Sequence, residues 1–173
     1  ILFNWSNSQI GNSIASLVAG TYFVTATDIN GCTASSSTDI LDPDSISIAI
    51  TGTDLLCNND NSGSAAATAS GGTGTLNYLW SNNATTTSIA ALASGSYMLT
   101  VTDANGCINS SMQVITEPDV LSLGLTSTDV ICSYDMDGEI ASTVGGGVLP
   151  YSYSWNIGDT NAIASGLAVG TYQ

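Results

Sequence analysis

The chain has 173 residues, 14 of them acidic and none of them lysine, arginine or histidine, giving a formal charge of −14. No side-chain ion pair can form, and a surface without cations is repelled by nucleic-acid phosphates and by anionic membrane surfaces alike. Hydrophobic residues reach 43%, enough for a folded core rather than a disordered chain, yet no run nears the roughly 18 to 20 apolar residues of a membrane helix.

A period of 75 residues organises everything else. Trp5, Trp80 and Trp155 keep that spacing, as do Tyr22, Tyr97 and Tyr172, and the pairs Cys32 and Cys107, Cys57 and Cys132, Pro43 and Pro118. A fixed period of this size marks one folding unit used repeatedly. Residues 1–43 read as the C-terminal part of a unit, 44–118 as a complete one, and 119–173 as the N-terminal part of a third. Because Ile1 falls where Leu76 and Tyr151 fall, the sequence is expected to be a window on a longer array.

Within the complete unit, Ile46, Ile48 and Ile50 alternate with polar residues, as Leu121, Leu123 and Leu125 do one period later, which predicts a half-buried first strand, A. Ser64 to Ser70 is small and alternating and predicts strand B, closed by Gly71-Gly72. Leu76, Tyr78 and Trp80, matched by Tyr151, Tyr153 and Trp155, predict strand C with the indole in the core. Thr85 to Leu92 should hold one or two short strands anchored by Ile89 and Leu92. Tyr97, Leu99 and Val101 predict strand F, and Asn105-Gly106 a tight hairpin needing positive φ before strand G, Cys107 to Thr116. Glu117-Pro118 stops the ladder because proline lacks the amide hydrogen. No window carries a sustained helical period. The expected fold is all-β: tandem immunoglobulin-like β-sandwich modules of six or seven strands.

The four cysteines at repeat-equivalent positions read as a disulfide framework in an oxidising, extracellular compartment. In a seven-strand sandwich with alternating directions, Cys57 after strand A and Cys107 between F and G lie at opposite ends, whereas a strand count off by one would bring them together. A strand of about seven residues spans roughly 23 Å, whereas bridged Cα atoms lie within about 7 Å. A staple from each module to its successor is therefore expected, with the partners of Cys32, Cys57, Cys107 and Cys132 in neighbouring modules. Pairing of Cys57 with Cys107, pairing of Cys32 with Cys57, and free thiols stay open as alternatives.

The combination of Gly71-Gly72-Thr73, Tyr78-Leu79-Trp80, Gly95-Ser96-Tyr97, Asp103-Ala104-Asn105-Gly106-Cys107 and Glu117-Pro118, with Pro150-Tyr151-Ser152-Tyr153-Ser154-Trp155 in the third unit, resembles the SprB-type repeats of Bacteroidota surface proteins. The middle unit departs from that pattern at Gly74-Thr75-Leu76, where a Pro-Tyr pair is usual. The resemblance implies immunoglobulin-like or PKD-like modules in very large proteins exported by the type IX system, some of them gliding-motility adhesins. It carries no catalytic residues and fixes no ligand. The implied role is a stalk or fibre segment of a secreted adhesin at the cell surface, its partners being neighbouring repeats, like chains in a fibre, or surface glycans. A carbohydrate-binding repeat is the alternative.

Few residues offer chemistry beyond architecture. No cofactor is required. Calcium suits the oxygen-rich loops at Asp60, Asp135 and Asp137, because a hard cation takes carboxylate and carbonyl oxygens; the same residues also suffice as plain turns with Asx hydrogen bonds. Asp44-Ser45-Ile46 resembles the short O-glycosylation pattern of Bacteroidota and marks Ser45. Asn4, Asn83 and Asn109 sit in Asn-X-Ser/Thr sequons. Without histidine or lysine, no serine or cysteine has its usual catalytic base, and no enzyme is expected.

Overall fold

The computed structural model describes residues 1–132 and 134–173, with twelve strands and no helix among them. In chain order these are β1 (Leu2–Trp5), β2 (Gly20–Thr27), β3 (Thr33–Ile40), β4 (Ser47–Thr53), β5 (Gly63–Ser70), β6 (Asn77–Trp80), β7 (Ser88–Leu92), β8 (Gly95–Thr102), β9 (Ile108–Ile115), β10 (Ser122–Thr128), β11 (Gly138–Gly145) and β12 (Ile163–Leu167).

Residues 44–118 form a β-sandwich of two antiparallel sheets, β4-β5-β7 and β6-β8-β9. The period-two pattern of the sequence fixes which side chains face inward. Trp80, Leu99, Val101 and Ile115 are almost wholly enclosed and share one core with Ile46, Leu55, Ala65, Ala67, Ile89 and Leu92. The alanines of β5 leave room for the indole opposite, a small-against-large fit that keeps the layers close. Gly63 has a packing reason of its own: a Cβ there would meet Ile115 and the Leu92 carbonyl, each at 2.8 Å, at the bulge where β5 shifts register against β7.

Strand β4 also seals one side of the sandwich. Asn109 Nδ2 donates to the Ile46 carbonyl at 2.7 Å, Leu55 N to the Thr116 carbonyl at 2.9 Å, and Thr116 N to Asp54 Oδ1 at 2.7 Å. The first strand is thereby tied to the last at both of its ends, although the two belong to different sheets.

The flanking segments repeat these pairings with an offset of 75 residues. Sheet β1-β2-β3 copies β6-β8-β9, with Leu2 opposite Thr27 as Asn77 is opposite Thr102, and Gly20 opposite Ile40 as Gly95 is opposite Ile115. Sheet β10-β11-β12 copies β4-β5-β7 down to its bulge at Gly138/Glu139. Each flanking segment holds one sheet only. Burial follows from that: Ile115 is 1% exposed but its equivalent Ile40 is 37%, and Ile46 is 6% exposed but its equivalent Leu121 is 62%.

Three expectations are refined. The segment Thr85 to Leu92 yields the single strand β7, so the sandwich has six strands. The Asn105-Gly106 hairpin is wider than a two-residue turn: Gly106 N donates to the Asp103 carbonyl at 3.1 Å, and Gly106 alone takes positive φ, at 86°, the geometry of a type I turn followed by a left-handed glycine. Finally, Tyr151 to Trp155 does not form a strand, unlike β6. Strand β6 is held by β8, and within residues 119–173 only the first residues of a β8 equivalent occur.

Candidate functional site

The residues singled out by chemistry occupy turns and junctions. Asp60 closes the loop after β4 upon itself, its Oδ1 accepting from Ser62 N at 3.0 Å and Ser62 Oγ at 2.8 Å, its Oδ2 from Cys57 N at 3.2 Å. The Ser62 amide foremost, then the Ser62 hydroxyl, hold its carboxyl below the usual range. Asp137 Oδ1 accepts from Ile131 N at 3.2 Å, and the amide of Asp135 donates to the Cys132 carbonyl at 3.1 Å. Among the described residues no three acidic or thiol groups converge in a metal-holding arrangement. The turn hydrogen bonds engage the carboxylates of Asp60 and Asp137, and the loops hold their shape through them.

Asp103 precedes the Asn105-Gly106 turn and accepts from Asn105 N at 2.9 Å and Cys107 N at 2.8 Å through Oδ1. Its Oδ2, however, accepts from Thr73 N at 2.8 Å, thirty residues away in the turn between β5 and β6, and Ala104 N returns a bond to the Thr73 carbonyl at 2.9 Å. The side chain is 3% exposed. The Thr73 amide is the largest cause of its lowered pKa, opposed by burial and assisted by the Cys107 and Asn105 amides. A folded-state pKa below the unfolded value contributes stability above the unfolded value near 4, and that contribution disappears as pH falls through the folded value. Asp103→Asn is therefore expected to be less stable than wild type at neutral pH and to converge on it in acid, checked by urea denaturation across pH. Equal differences at every pH would contradict the assignment.

The aromatic residues are tied into the fold. Each indole Nε1 donates to a carbonyl six residues onward: Trp5 to Gly11 at 2.8 Å, Trp80 to Thr86 at 2.9 Å and Trp155 to Asn161 at 2.9 Å. Each tyrosine hydroxyl of the series Tyr22, Tyr97 and Tyr172 donates to a carbonyl four residues back: Tyr22 to Val18, Tyr97 to Ala93 and Tyr172 to Ala168. Trp80 and Trp155 are buried and Trp5 is half-buried, so the indoles serve packing rather than sugar stacking. Two clefts of about 500 and 520 Å³ open at the third repeat, one lined by Val130, Gly138 and Leu167, the other by Leu121, Leu125, Tyr153 and Trp155 and, from the preceding repeat, by Leu56, Cys57 and Asn58. Their equivalents in the complete repeat, Leu55 and Leu92 for one and Ile46, Ile50, Tyr78 and Trp80 for the other, pack into the core cluster with Leu99 and Ile115, and Gly63 leaves no room for a Cβ beside Ile115 and Leu55. The clefts are open core faces rather than ligand pockets.

All four cysteines are exposed and unbonded to one another. Cys107 precedes β9, whereas Cys57 sits beside the far end of that strand, where Asn59 N donates to Glu117 Oε2 at 2.8 Å and Asn58 Nδ2 to the Pro118 carbonyl at 3.0 Å. The eight residues of β9 span about 26 Å, too far for a bond within one repeat. Cys32 and Cys57 are separated by β3, the junction and β4. Ser45 is exposed at the junction. Of the sequons, Asn109 spends its amide on Ile46 as described, and Asn83 occupies a left-handed turn position, φ 67°.

Two segments of the chain, residues 49–85 and 124–160, match the family model described as SprB repeat. Each match begins in the first strand of a repeat and ends in the turn after its tryptophan, and the two are offset by the same 75 residues as the strand registers. Both segments are similar to the SprB repeat family. No curated protein matches it. SprB repeats are structural units that occur in cell-surface proteins, and the geometry agrees with a structural unit: the hydroxyls, amides and carboxylates that recur with the SprB repeat close turns and pin strands.

Proposed function

We propose that these SprB repeats form a stalk or fibre segment of a large secreted bacterial surface adhesin, each repeat an immunoglobulin-like module placed in the extracellular space. The observation that carries this reading is the tethered junction. Six residues separate β9 from β10, and they are held at both sides: Glu117 and Pro118 by the Asn58-Asn59 loop, and Asp119 by Gly147 N, which donates to its carbonyl at 2.8 Å. The same bond links Gly72 N to Asp44 at 2.7 Å. Short, bonded junctions favour a stiff line of modules over freely hinged beads. The uncompensated negative charge supports the reading too, since like-charged rods stay apart and extended.

A stalk predicts an elongated particle. Small-angle scattering of the chain is expected to give a rod-like distance distribution, and protease treatment of intact producing cells to release fragments of this protein. A compact particle would sink the stalk, and protection from the protease would sink the surface location. Glycan recognition by the repeats is less well supported, because the recurring aromatics are spent on the core.

A further inference from the structure

We infer that each junction between successive repeats is closed by a disulfide joining the loop cysteine of one repeat, represented by Cys57, to the hairpin cysteine of the next, represented by Cys107. The inference rests on the tandem array proposed above.

Two separate pieces of geometry bring these cysteines to one place. The first positions Cys57. Its loop is bonded to Glu117 and Pro118 of the junction, and Cys57 itself lines one cleft with Gly147 and Val148 of the following repeat. The second positions the hairpin. In the complete repeat the hairpin bearing Cys107 is clamped to Thr73 by the Asp103 carboxylate and the Ala104 amide, and Val148 is the equivalent of Thr73. A following hairpin clamped on Val148 in the same way therefore delivers its cysteine to the cleft that Cys57 lines. The clamp's acceptor is present in every described hairpin: Asp28 binds Asn30 N and Cys32 N through Oδ1 at 2.9 and 2.8 Å, the same bonds Asp103 makes. The arrangement also accounts for all four free thiols. Cys57 and Cys132 each look forward to a later hairpin, Cys32 and Cys107 each look back to an earlier loop, and none of these partners is another of the four.

Bond formation needs an oxidant, and a low-molecular-weight or protein disulfide of the oxidising compartment supplies it. One cysteine thiolate attacks that disulfide, releasing one thiol of the oxidant. The second cysteine thiolate then attacks the mixed disulfide, forming the staple and releasing the other. Two cysteine protons and two electrons thus leave the protein, and the oxidant ends as two thiols.

The test is a non-reducing digest with a protease cutting after Asp and Glu, on protein released from its own cells and alkylated before lysis. The peptide Leu55–Asp60 should be bonded to a hairpin peptide of the following repeat. Finding it alkylated, or bonded to Ala104–Glu117 of its own repeat, overturns the inference. A second form keeps the answer independent of the source. The chain is extended after Gln173 with a copy of Leu99–Pro118 carrying Met112→Leu as a mass mark, and refolded with reduced and oxidised glutathione. One disulfide, from Cys57 to the marked hairpin, is expected, with the other three thiols free; the parent chain should keep all four. Hydrogen–deuterium exchange of the appended strands, whose amides are paired only in a closed sheet, reports whether the third repeat has closed. A closed repeat with Cys57 still alkylated sinks the staple alone, whereas a repeat that stays open sinks the tandem reading along with it.

Discussion

Trp80→Ala is expected to cost the complete repeat about 3–5 kcal/mol, the usual loss for removing a large buried aromatic. Trp80 is 1% exposed, sits in one cluster with Ala65, Ala67, Leu99 and Ile115, and holds the Thr86 carbonyl through Nε1. Truncation opens a cavity between two sheets whose residues on β5 are already alanines, too small to fill it from that side. It also deprives a partly buried carbonyl of its donor. Small domains have about 5–15 kcal/mol in total, and one of this size lies toward the lower end, so a large fraction of the variant should be unfolded at ambient temperature. Trp5→Ala is the internal comparison: Trp5 is half-buried on a sheet with no opposing layer in this chain, and its loss should be much smaller. Urea denaturation followed by circular dichroism checks both, and equal effects would mean that Trp80 is not the keystone of the sandwich.

The second large effect is expected at Gly71, through backbone rather than burial. Its φ is +78°, and a Cβ there would overlap the carbonyl oxygen of Ser45. A left-handed non-glycine residue costs on the order of 1–3 kcal/mol, and Gly71→Ala adds the displacement of Ser45, which cannot move without disturbing the Gly72 N to Asp44 bond beside it. Gly106→Ala separates the two contributions, since its φ is +86° with nothing within 4 Å of the added carbon. Gly106→Ala should therefore show only the conformational cost, and Gly71→Ala clearly more, with an earlier thermal transition and easier proteolysis at the junction. If the two substitutions were equally mild, the junction would not be the tightly fitted joint described above. Gly146 repeats the arrangement against Val120, so its substitution should loosen the next junction in the same way.

Much of this architecture was legible because β-structure writes itself into alternation. Ile46, Ile48 and Ile50, the alanines of β5, and Tyr97, Leu99 and Val101 declare strands and inward faces without reference to any partner. The spacing of the tryptophans announced the repetition. Strand parity put Cys57 and Cys107 at opposite ends only on a count of seven strands; the six observed keep them apart because β6 and β7 run in the same direction. Alternation is blind to what crosses between strands. That one strand serves the interval Thr85 to Leu92, and that the Asn105-Gly106 hairpin carries an extra residue, depended on which carbonyl each amide found.

The candidate site was less legible still, because its residues act over distances that sequence spacing does not encode. Asp103 looked like a turn former because its nearest partners are two and four residues away; the bond to Thr73 exists only once β8 and β5 lie in facing sheets. Likewise Asn109 carries a sequon in the sequence and a sheet-to-sheet bond to Ile46 in the fold. The sequence by itself determined the all-β class, the repeated unit, the inward faces and the absence of histidine, lysine and arginine, since these follow from local periodicity and composition. Only the tertiary structure decided that β4 seals the sandwich against β9, that Asp103 clamps the hairpin, and that Cys57 faces the following repeat. Each of those depends on groups far apart in the chain being brought together by burial of the common core.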